Sequence, residues 1–137
     1  MTREETDVRL AAAHVLSLLP EHRELACARL RSMVNAETGS LQRAGLLLLL
    51  GLAGDRSEAT LSALTGALSG DDLVQRRAAA LAFAYLEPDP LPNPARAAIL
   101  DAITADDLEN SFDGLPWDVV AEIDRDKLHA CLNRPRA

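Results

Sequence analysis

Leu46, Leu47, Leu48, Leu49 and Leu50 stand in an unbroken row at the middle of the stretch Leu41 to Asp55. Successive residues of an α-helix are set about 100° apart, so five leucines leave no polar side on those turns. The apolar block Ala44 to Ala53 is interrupted only by Gly45 and Gly51. It is roughly half the length a bilayer needs. The pattern predicts a central buried helix, covered by chain on both sides. Around it, apolar spacing and breaks predict helices over roughly 4–19, 21–36, 40–53, 57–69, 72–86 and 94–105. The breaks are Pro20, Thr38-Gly39, Gly54-Asp55, Gly70-Asp71 and the loop Pro88-Asp89-Pro90-Leu91-Pro92-Asn93-Pro94. Ser40, Ser57, Asp72 and Asn93 are the expected N-caps. Pro116 is expected to open a short helix through Ile123, and Asp124 to cap another ending near Leu132.

Shifting the chain against itself by 34 residues lays Arg9, Arg43 and Arg77 over one another. The same shift superposes Ala11, Gly45 and Ala79, then Val15, Leu49 and Phe83, then Leu18, Leu52 and Leu86. That spacing is one face of a helix, small at its start and large at its end. Cys27, Leu30 and Val34 fall likewise on Leu61, Leu64 and Leu68, and Ile99 and Ile103 continue the series after a one-residue insertion. After Asp106 the pattern dissolves, as an array requires of the unit that hides its last apolar face.

Asp7-Val8-Arg9-Leu10-Ala11-Ala12-Ala13, Leu41-Gln42-Arg43-Ala44-Gly45 and Asp71-Asp72-Leu73-Val74-Gln75-Arg76-Arg77-Ala78-Ala79 carry the shared opening. Helix pairs of this period and opening resemble HEAT repeats, especially the short bacterial HEAT-like type, over roughly residues 5–108. The resemblance implies an all-α fold: a short α-solenoid of about three HEAT-like helix pairs over 1–106, with 107–137 as an atypical C-terminal cap of the same domain. It also implies an acid-to-arginine ladder, for which Glu37 precedes Arg43, and Asp71 precedes Arg77, by six residues. Arg3 breaks that pattern before Arg9. In such arrays the second helices, here 5–19, 40–53 and 72–86, line the concave face. The resulting column is Leu10, His14, Ser17; Ala44, Leu48, Gly51; Ala78, Ala82, Tyr85. It reads either as tight helix packing or as a groove for a partner or a dimer seam, with His14, Leu48 and Tyr85 as its contact residues.

Composition narrows the partners. The chain has 137 residues and a net charge of −7, the size of one domain. Aromatics are scarce, so the core is built from Leu, Ala, Val and Ile. Residues 97–126 hold nine acidic groups and one basic group, Arg125. A field of that sign repels phosphate backbones and attracts a basic protein, so nucleic acid is not an expected ligand. Asp101, Asp106, Asp107, Glu109, Asp113, Asp118 and Glu122 form either a solvated end-cap or a docking surface. Phe112 and Trp117 lie among them, as buried cap residues or, for Trp117, as a contact anchor. The acidic, polar N-terminus is unlike a signal peptide, no window reaches membrane-spanning length, and a cytoplasmic setting with Cys27 and Cys131 reduced, rather than joined in one disulfide, is expected. Arginine supplies 13 of the 14 basic residues, which on codon grounds points to a GC-rich bacterial genome.

No catalytic or metal constellation emerges. His14, His22 and His129 are scattered, and His129 and Cys131 point to different faces of a helix. The segment from Glu109 lacks a ligand at the twelfth position of a calcium loop, which is Val120. Neither a phosphate-cradling glycine loop nor a nucleophile elbow is present, and no cofactor is expected. The expectation is a non-enzymatic protein-binding module, in its sharpest form an inhibitor or immunity protein whose acidic face masks a basic enzyme. The alternatives are a HEAT-like enzyme of tetrapyrrole-lyase or alkylpurine-glycosylase type, or a structural homo-oligomerisation unit. The first lacks a basic groove or any sign of a pigment pocket.

Overall fold

The computed structural model describes residue 12, residues 19–36, 39–86 and 93–104, and residues 130 and 132. Among these, the chain forms five helices and no strand. They are α1 (Arg23–Ala36), α2 (Ser40–Ala53), α3 (Glu58–Leu68), α4 (Leu73–Leu86) and α5 (Asn93–Thr104). All five stand within two residues of the spans that periodicity gives. The expected helix over 4–19 and those after residue 105 lie outside the described residues, although Ala12, Ala130 and Leu132 are themselves helical.

The helix ends follow local chemistry. Gly54 closes α2 at φ 76°, a left-handed conformation that only glycine adopts at no steric cost. Its N–H reaches Gly51 O, and the next N–H, of Asp55, reaches Leu50 O, both at 3.1 Å. Two carbonyls left over at the end of α2 are thereby satisfied. Ser57 caps α3 by accepting from Thr60 N at 3.3 Å. Asp72 does the same for α4, accepting from Gln75 N at 3.0 Å. Ser40 is not the expected cap. It lies inside α2, Gly39 takes the cap position without a side-chain bond, and the Ser40 hydroxyl donates to Asp72 instead.

The dominant packing is α2 against α4. The two are joined at their starts by Ser40–Asp72 and meet near their ends at Gly51 and Ala82, so they run side by side in the same direction. A Cβ placed on Gly51 would lie 2.5 Å from Ala82 Cα and 2.6 Å from Ala82 Cβ. Backbones that close tolerate no side chain between them. α1 packs on α2, while α3 and α5 pack on α4 and touch each other. Leu30 of α1, Leu64 of α3 and Ile99 of α5 are completely buried beneath this layer. Burying a side chain of this kind contributes about 1.5–3 kcal/mol relative to leaving it exposed.

All five leucines from Leu46 to Leu50 are at most 1% exposed, so the central helix is buried on all sides, as its sequence predicts. The column that reads either as tight helix packing or as an open groove is closed off. Ala44, Leu48, Gly51, Ala78 and Ala82 are all buried, and Gly51 lies against Ala82. Small side chains on that face let α2 and α4 approach most closely there, which turns the column into a seam. Leu48 is core.

Candidate functional site

The densest polar cluster among the described residues gathers around Asp55, in the turn between α2 and α3. Its carboxylate accepts from Arg31 Nη1 at 2.5 Å, Thr60 Oγ1 at 2.5 Å, Ser57 Oγ at 3.2 Å and Ser57 N at 3.2 Å. Arg31 stands on α1, and its Nη1 also lies 3.4 Å from Ser57 Oγ. The sequence places these residues by ordinary means. Gly54 turns the chain out of α2, the Asp55-Arg56-Ser57 segment opens α3 with a capping serine, and Thr60 follows inside the first turn. Burial pushes the Asp55 carboxyl up, but hydrogen bonds from Thr60, Arg31 and the Ser57 backbone outweigh it and hold it below the usual carboxylate value. Thr60 is completely buried and the Asp55 side chain 9% exposed. The cluster fastens α1 to the start of α3. Its donors and acceptors are turned largely on one another, as in a structural tie.

Three further polar ties join elements. Asp72 accepts from Ser40, which holds its carboxyl below the usual value together with the bond from the Gln75 backbone. Arg56 donates to Leu86 O at 2.5 Å, tying the turn before α3 to the last residue of α4, where a cation also suits the negative end of the helix dipole. Arg96 on α5 donates to Leu132 O at 2.6 Å, and Leu132 packs against the core.

Cys27 is free and buried on α1. Burial pushes its thiol pKa up, and the nearby Asp55 carboxylate pushes it further the same way. Reactive cysteines sit in electropositive, accessible surroundings; Cys27 is buried, and although Arg31 and Arg23 act the other way, its pKa is raised. Among the described residues, no group of three or more His, Cys, Asp or Glu side chains is placed to hold a metal ion. Among them also, no helix is long and apolar enough to cross a membrane.

The residues named for partner binding divide sharply. Asp106, Asp107, Glu109, Asp113, Trp117, Asp118 and His14 lie outside the described residues, as does Glu37 of the expected ladder. Asp71 is exposed and Arg77 buried at the start of α4, while Arg43 is half-buried at the start of α2. Leu48 serves the core, and Tyr85 is half-buried near the end of α4. At the described edge of the acidic stretch, α5 exposes Asp101 and Leu100, the latter by 55%. A shallow open depression, lined by Arg56, Glu58, Leu61, Ser62, Thr65 and Gly66, lies along the outward side of α3. The residues that sequence reasoning missed are Arg31 and Asp55. Their pairing spans 24 positions and leaves no periodic trace, although the Asp-x-Ser run before α3 marks the turn. Comparison with known families, with curated proteins and with solved structures gives no match.

Proposed function

We propose that this chain is a short HEAT-like array acting as a non-enzymatic protein-binding module, whose acidic C-terminal third engages a basic protein. An inhibitor or immunity-type protein that masks a basic enzyme is the sharpest form of this reading. The observation that carries it is the charge of residues 97–126, nine acidic groups against one basic. Where that stretch begins, α5 presents an exposed leucine directly beside an exposed aspartate. An apolar anchor among like charges suits a partner that brings a cationic rim around a small apolar contact. The solenoid reading is supported by three pairs related by the 34-residue shift, whereas Arg43 and Arg77, Leu52 and Leu86, Cys27 and Leu61, and Val34 and Leu68 differ in burial. Gly45 and Ala79 are buried alike, as are Leu49 and Phe83, and Leu30 and Leu64.

Affinity capture with the full chain from its host, followed by mass spectrometry and kinetics on the captured protein, tests the proposal. A basic protein whose association slows as salt rises is the expected result, because screening acts over about 10 Å at 0.1 M ionic strength. Asp106→Lys with Asp107→Lys is expected to slow association further, and Leu100→Ala and Trp117→Ala to speed dissociation. A partner that is itself acidic, or that binds these variants undiminished at high salt, overturns the assignment of the acidic face.

A further inference from the structure

We draw no further inference here: the strongest candidate, the shallow depression along the outward side of α3 between Arg56, Glu58, Leu61 and Gly66, carries nothing because nothing in the structure shows what covers it.

Discussion

Arg31 and Asp55 close an ion pair at 2.5 Å across 24 positions of sequence, and the aspartate is the less exposed partner. Through it α1 is fixed to the turn that starts α3, although α2 intervenes between them in the chain. Hydrogen bonds to a charged group contribute about 1.5–3 kcal/mol each when a partner is removed. Arg31→Ala is therefore expected to destabilise the fold by a value in that range, read by chemical denaturation.

The same carboxylate sets an acid limit. Its folded pKa lies below its unfolded value, which for aspartate is about 3.9. Between the two values the unfolded chain binds more protons than the folded one, so stability rises with pH there. The contribution is complete above the unfolded value and lost as pH falls through the folded one. Melting curves across this window should fall less steeply for Asp55→Asn than for the unsubstituted chain. Equal slopes would remove Asp55 as a source of the acid sensitivity, leaving Asp72 as the next candidate.

Two glycines on neighbouring helices should respond oppositely to the same substitution. Gly51→Ala drives a methyl into the Ala82 backbone, and overpacking of this kind costs about 1–3 kcal/mol. Gly66 has nothing within 4 Å of an added Cβ. There alanine relieves the entropic penalty of a helical glycine, a gain of about 0.5–1 kcal/mol. Thermal melts of the two variants against the parent decide the matter; a neutral Gly51→Ala would mean that α2 and α4 are not in contact at that point.

Cys27 should resist modification. With Cys131→Ser removing the other thiol, labelling by a thiol reagent at neutral pH is expected to be slow in the folded chain and fast in denaturant. Rapid labelling under native conditions would contradict the burial of α1 against α2.

Leu46 to Leu50 were legible in the sequence because a helix with no polar face admits one outcome, burial on all sides. Gly54 was legible as a break because few residues other than glycine end a helix in that way. The face carrying Gly51 and Ala82 was legible only as two readings, tight packing or a groove. Each of these helices is small or apolar on two adjacent faces, and periodicity ranks neither face as the one that meets a neighbour. Backbone approach decides that, and it is a property of two helices rather than one. Arg31 and Asp55 were hidden for a related reason, since a single long-range pair has no period. As for the candidate site, Asp101 and Leu100 are found on the surface, while Leu48 was misread because an apolar residue beside small ones looks the same in a groove and in a seam.

The seam between α2 and α4 also bears on how the molecule moves. Where a glycine meets an alanine, no long side chain stands between the helices to change rotamer and let them slide. Local opening of a structure starts where packing is sparse and ends where it is densest. The pair is thus expected to behave as one stiff strut, with bending left to α1 on one flank and α5 on the other. In hydrogen exchange, the amides from Leu46 to Gly51 and from Ala78 to Phe83 should surrender their protons last, and together.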